Sequence, residues 1–376
     1  MCIRDRTSTV AVPSDLCPDK HIELKFTKLK DFHPDHMVQN NPALQNLREA
    51  RDWIEAAGRN HLSADQINNR LARWPNLPPI RIETTPRETQ PPSRDSLDKI
   101  LDMVALPDAP FGLPSGTQAA ARQIDSIIQK ILKHIFLDIN LRWLEASWRG
   151  LQLLLRQVNV ADIEIRIDLA PVSDNSLNDT LATLSAELID KLPSLILVDL
   201  AFDSSPRNLK LLEKIAQFAE TLLVPAITWI RPQFFHIDRW QDIRSLAFLP
   251  HYQEEAPFAR WQSFKKTRSA RWLTIVCNRI AARYTYGKDN LPRRIPFEEK
   301  HPAWISPVWG LGALNSRSVS EIGWPTRFTD WHNIRLEDLA LNTANPKNPL
   351  PTEVNFDRDR IDQFIRGGII PLAAVP

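Results

Sequence analysis

Two aspartates, Asp199 and Asp203, follow the apolar run Leu195-Ile196-Leu197-Val198 and lead into Ser204-Ser205-Pro206. Carboxylates at the carboxyl end of a buried strand stand where open α/β sheets bind ligands. The pair could hold Mg²⁺ or work as acid and base, which makes a metal-dependent hydrolase one reading. The same residues can instead cap the helix that Pro206 opens and satisfy its orphan N–H groups. No lysine, glycine loop or third acid joins them, and that favours the cap. His33 and His36 have a ligand-like spacing, but Pro34 between them argues against one helix face carrying both, so they read as surface histidines on a loop. Cys277 ends the apolar stretch Leu273-Thr274-Ile275-Val276 and reads as a small hydrophobe, not a nucleophile.

The strongest local signal is charge. From Arg260 to Arg294 the chain carries Arg260, Lys265, Lys266, Arg268, Arg271, Arg279, Arg283, Lys288, Arg293 and Arg294 against Asp289 alone. Trp261, Phe264, Trp272, Tyr284 and Tyr286 are interleaved. Cations that track a backbone, beside rings that stack bases, suit a single-stranded nucleic acid, so residues 260–294 support a nucleic-acid-binding α/β protein as an alternative. Arginine and aromatics also dominate protein interfaces, and a docking or structural role is the reading preferred here.

Composition narrows the classes. The 376 residues include 10 glycines and 30 prolines, against about 7% and 5% in ordinary chains. G-x-G-x-x-G, G-x-x-x-x-G-K-[ST] and G-x-S-x-G are absent, which argues against phosphate-cradling enzymes. A net charge of +2 advertises no polyanionic partner. Three cysteines without motif spacing fit a reducing compartment, and no apolar run reaches the 18 or so residues of a membrane span. The expectation is a soluble, cytoplasmic α/β protein.

The elements that must position these residues show in the periodicity. Residues 1–20 are set aside as a non-native or disordered leader. A first block at 21–74 opens with Ile22-Glu23-Leu24-Lys25-Phe26, which alternates as a strand, and continues with a helical stripe of Leu44, Leu47, Ala50, Arg51 and Ile54. Six prolines between Pro75 and Pro92 mark a stiff linker, placed at 75–95. The body, 96–376, begins with Ile124, Ile127, Ile128, Ile131, Leu132 and Ile135 on one wide helix face. A second helix carries Leu141, Leu144, Trp148, Leu151 and Leu155, and Ile163, Ile165, Ile167 and Leu169 alternate as a strand. Residues 194–230 read as strand, helix, strand, with a further strand at Trp272–Cys277. Prolines chop the C-terminal third into short pieces.

At Arg142-Trp143-Leu144-Glu145-Ala146-Ser147-Trp148-Arg149-Gly150-Leu151 the chain closely resembles the signature of the type VI secretion contractile sheath large subunit. Similar strings follow in order: Leu211-Leu212-Glu213-Lys214-Ile215-Ala216, Arg260-Trp261 with Phe264-Lys265, Ser269-Ala270-Arg271-Trp272, and Arg283-Tyr284 with Tyr286-Gly287. Pro351-Thr352-Glu353-Val354 and Gly368-Ile369-Ile370-Pro371-Leu372 complete the set. The first block, through Leu24-Lys25-Phe26, Asp31-Phe32-His33-Pro34-Asp35, Leu44, Leu47, Arg48 and Arg51, resembles the sheath small subunit. The resemblance implies a mixed sheet with flanking helices, similar in fold to phage tail sheaths, and a structural role without cofactor, metal or catalysis. It implies as partners the small subunit, further copies of the chain, an inner tube protein, a baseplate and an AAA-type disassembly ATPase, with no membrane or nucleic acid. Arg260, Lys265, Lys266, Arg268, Arg293 and Arg294 become candidate contacts between subunits. Glycines that the family carries before "P-T-E-V" are lacking at Asp330–Glu337, and the family continues past "G-F-I-P-L", so the chain is expected to be a fragment or a divergent member.

Overall fold

The computed structural model describes residues 6–80, 115–157, 165–323, 335–342 and 349–374. Most of the expected linker, Ile163 of the expected strand and Asp330–Ile334 lie outside the described residues. The chain divides into two compact units, one holding the chain up to Leu141 together with Tyr286–Glu299, the other Arg142–Thr285 together with Lys300 onward.

In the first unit, β1 (Arg6–Ala11) pairs antiparallel with β2 (His21–Phe26) along its whole length. The set-aside leader is therefore corrected from residue 6 on: Val10, Val12, Leu16 and Cys17 are buried. From Thr7 to Val12 exposure alternates, with Thr7, Thr9 and Ala11 outward and Val10 and Val12 buried, a period-two pattern hidden behind a charged start. Three helices follow, α1 (Pro34–Asn40), α2 (Pro42–Arg59) and α3 (Ala64–Ala72). Asn41 caps α2 by accepting N–H groups from Ala43 and Leu44, and its amide donates to the Glu23 carbonyl, which ties the cap to β2. The next helix, α4 (Ser115–Leu137), buries the isoleucine stripe as expected, but against α2 and inside this unit. A domain boundary at the proline seam would have left that stripe in the other body; pairing it with Leu44, Leu47 and Ile54 overrides the boundary.

The second unit is built on α5 (Ile139–Gln157, from Arg142 on), α6 (Leu177–Glu187) and a four-stranded sheet. The strands are β3 (Ile196–Phe202), β4 (Ala226–Ile230), β5 (Leu273–Cys277) and, after the short antiparallel pair β6 (Ile280–Ala281) and β7 (Trp304–Ile305), β8 (Ile370–Pro371). They lie side by side in the order β3-β4-β5-β8, all parallel. The α/β expectation holds; among the described residues antiparallel pairing is found in the two small sheets and in isolated bridges. Between β3 and β4 runs α6's successor α7 (Pro206–Leu222); α10 (Pro307–Ile322) covers the opposite face, with the short helices α8 (Leu249–Tyr252) and α9 (Ala259–Lys265) earlier in the chain and α11 (Arg358–Arg366) later. Strand alternation explains the two layers: Ala226, Ile230, Ile275 and Cys277 pack with Leu209, Leu212 and Ala216 of α7, while Ile227, Trp229 and Val276 meet Val308 and Leu311 of α10.

Two expectations fail here. Residues 165–170 are not a strand; Ile165 and Ile167 pack as irregular chain against the cluster around Trp309. The C-terminal third is not wholly broken, because Pro307 sits in the first turn of α10, where its missing N–H costs nothing.

Candidate functional site

The α5 string Leu144–Leu151 is a packing device. Glu145 is buried at 3% exposure. Its carboxylate accepts from Arg149 Nε at 2.7 Å, one turn on, and from Arg283 Nε and Nη2 at 2.8 and 3.2 Å. Burial alone would raise the Glu145 carboxyl; the Arg283 and Arg149 guanidiniums outweigh it and hold the group below the ordinary glutamate value. Gly150 lies against the Trp309 indole, where any Cβ would overlap the ring. Trp309 Nε1 in turn donates to Asp199 Oδ2 at 2.8 Å, and Ser147 Oγ reaches the same oxygen at 3.4 Å. Leu144 and Trp148 are half-buried on the same helix.

The two aspartates therefore serve separate networks. Asp203 accepts the Ser205 N–H at 2.9 Å and Arg231 Nη2 at 2.8 Å, while Ser205 caps α7 by accepting from Asn208. Burial opposes ionisation of Asp203, but the hydrogen bonds from Ser205 and the Arg231 charge keep it below the usual carboxylate value. The hydrolase reading is set aside, since Asp199 and Asp203 are held by different partners. Among the described residues no group of three or more His, Cys, Asp or Glu side chains could hold a metal ion.

The histidine expectation is corrected as well. Pro34 opens α1, and His33 is its cap, accepting the Asp35 N–H at Nδ1 over 3.2 Å. Cys277 is fully buried in β5, and burial, with the Glu353 charge adding, pushes its thiol well up.

The basic segment does not form one surface. Trp261 and Phe264 are core residues whose rings lie tilted against each other, with Phe234 edge-on to Trp261, and Lys265 lies over the Trp261 ring with its Nζ on the Gly367 carbonyl. Arg260 and Arg268 pair with Glu213 and Glu220 of α7, and Arg279 and Arg283 with Glu353 and Glu145. Lys266 and Arg271 face outward. Tyr286, Gly287, Arg293 and Arg294 belong to the other unit, where Tyr286 is buried among His33, Phe136 and Phe297. Trp261, Phe264 and Tyr286 are buried in two cores and cannot stack bases; Tyr284 alone of the five rings is exposed, and the nucleic-acid alternative is not supported.

The C-terminal strings close on a single stretch of chain. Ala281 donates to the Pro351 carbonyl and Glu353 N–H to that of Arg279, with an antiparallel bridge from Thr352 to Ile280. Arg279 grips the Glu353 carboxylate through two 2.8 Å hydrogen bonds. Asn278, fully buried at φ +74°, donates to the Val354 and Leu372 carbonyls and accepts the Val354 N–H. Neither Asn278 nor Trp309 stands out in the sequence. The only hint at Asn278 is its residue type just past a strand end, since asparagine tolerates the left-handed region.

Residues 193–376 match the family described as EvpB/VC_A0108, tail sheath N-terminal domain, and residues 5–74 match the family described as Type VI secretion system, VipA, VC_A0107 or Hcp2. The chain is 22% identical over 292 residues to a type VI secretion system sheath protein, TssC1, of Pseudomonas aeruginosa. That likeness covers 67% of this chain and 58% of the length of the relative.

Proposed function

With residues 193–376 belonging to the tail sheath family and residues 5–74 to the VipA family, we propose that the chain is a structural subunit of a bacterial type VI secretion contractile sheath. In this reading it stacks with other sheath subunits into a tube around an inner tube protein in the cytoplasm, and contraction drives effector delivery without catalysis by the chain itself. The carrying observation is that both sheath families occur in order on one chain, and that the large-subunit string on α5 is spent on internal packing through Glu145, Arg149, Gly150 and Trp309. A contractile machine needs rigid bodies whose mutual packing has two arrangements, and a buried ion cluster supports such a body. The baseplate and an AAA-type ATPase are the further partners this role calls for. Of the basic residues, the outward Lys266 and Arg271, with Arg260 and Arg268 beside them, support a charged contact between stacked subunits. Negative-stain electron microscopy of the purified chain tests the reading: hollow tubes of regular diameter are expected, and their formation should weaken in a Lys266→Glu/Arg271→Glu variant. Monodisperse single particles across a salt series, both for the chain alone and after a separate small subunit is added, would overturn it.

A further inference from the structure

We propose that this chain carries its small subunit in cis: its own VipA-family block fills the surface on which a separate copy of such a subunit would seat, so that the chain takes up no second small subunit there. The inference rests on the sheath reading above. Asp35, Gln39 and His33 lie in the stretch matching the VipA family, whereas Tyr286–Glu299 lies in the stretch matching the tail sheath family. Both stretches belong to the same compact unit. Asp35 Oδ1 and Oδ2 accept the backbone N–H groups of Arg294 and Arg293 at 3.0 and 2.9 Å, one carboxylate closing on two successive amides. Arg294 Nη1 reaches Gln39 Oε1 at 3.3 Å, and His33 meets the Tyr286 ring edge-on at 5.3 Å between centroids.

A second seam runs along α2 and α4. Arg51 Nε donates to Asp125 Oδ1 at 2.7 Å. Leu44, Ala50 and Ile54 on one side and Ile124, Ile128, Leu132 and Ile135 on the other are all at 0% exposure. That leaves no apolar face of α2 or of α4's stripe for another subunit to cover. Covalent attachment also gives the block an effective concentration on the order of 1 mM at its own seat. A free competitor at micromolar levels is then outweighed about a thousandfold.

The test uses the full chain with a protease site inserted at residue 95. After cleavage, the N-terminal piece is expected to co-elute with the remainder on gel filtration at physiological salt. Dissociation of the two pieces would overturn the proposal. Fluorescently labelled, cleaved chain is then mixed with an excess of uncut chain, and the label is expected to stay with the cleaved protein; stoichiometric transfer onto uncut chain overturns cis occupancy. In the cleaved background, Asp35→Lys with Arg51→Glu should speed release of the N-terminal piece at least tenfold, and unchanged retention would sink the assigned contacts. Tube formation separates this proposal from the one it rests on. Tubes that need an added separate small subunit overturn cis occupancy and keep the sheath, whereas retention and label readings stand whether or not tubes form.

Discussion

Glu145 holds two guanidiniums on one buried carboxylate, so the cost of removing it falls chiefly on what remains. Glu145→Leu would take the carboxylate away from the charged Arg283, whose side chain is 8% exposed, and should cost about 3–5 kcal/mol of unfolding free energy in urea. Arg149→Leu should cost less, because the Arg283 pair survives. The same carboxylate predicts an acid response. Glu145, Asp31 and Asp203 are all depressed in the folded state, Asp31 because the Thr27 and Lys28 N–H groups outweigh its burial. Groups of this kind stabilise the fold above the ordinary carboxylate range of about 4, and that stability is lost as pH falls through their lower folded values. Unfolding midpoints should hold steady from neutrality to about pH 5 and fall below about pH 4, less steeply in Glu145→Leu. Gly150→Ala should destabilise by about 1–3 kcal/mol, since the Trp309 ring has to move, and near-ultraviolet circular dichroism should register the shift. At this scale the sequence showed the string on α5 but not its partners. Arg283 and Trp309 come from distant chain, and the local charge excess at 260–294 was real yet misleading, because Glu145, Glu213, Glu220 and Glu353 answer it from outside the segment.

Elements whose burial is local were legible, and those whose burial depends on a distant partner were not. The period-3.6 stripes of α2, α4 and α7 and the apolar runs of β3, β4 and β5 each declare which face is covered. Helix α10 was missed because a proline at its first turn looks the same in sequence as a proline that breaks a helix. The supposed strand around Ile165 alternates correctly, but its described residues pack on a cluster instead of pairing with a neighbour. The C-terminal elements depend on one residue more than their length suggests. Asn278→Ala removes three hydrogen bonds that span Val354 and Leu372, and should cost about 3 kcal/mol. Hydrogen exchange should show the amides of Val354 and Leu372 losing protection together; loss at one alone would mean that Asn278 does not couple the two strings.

On the scale of the whole molecule, the family strings run in a single order along the chain, and that order made the two-part resemblance legible in the sequence. The division into compact units was not readable, because proline content marks where a chain cannot pack, not which faces meet. The described chain leaves its first unit after Leu141, returns to it for Tyr286–Glu299 and leaves again. Tyr286, Ile295 and Phe297 are buried there, with Phe136 against two of them. A chain ended at Thr285 should accordingly bind a hydrophobic dye and be cut readily near Phe136, where the full chain resists. The same path sets a schedule during synthesis. Asp35 emerges from the ribosome about 250 residues before the amides of Arg293 and Arg294 that it holds, which at about 5–20 residues per second is a wait of roughly 10–50 s. For that interval the first-made unit stands open on one side, and a nascent-chain chaperone has both the time and the exposed rings to bind it.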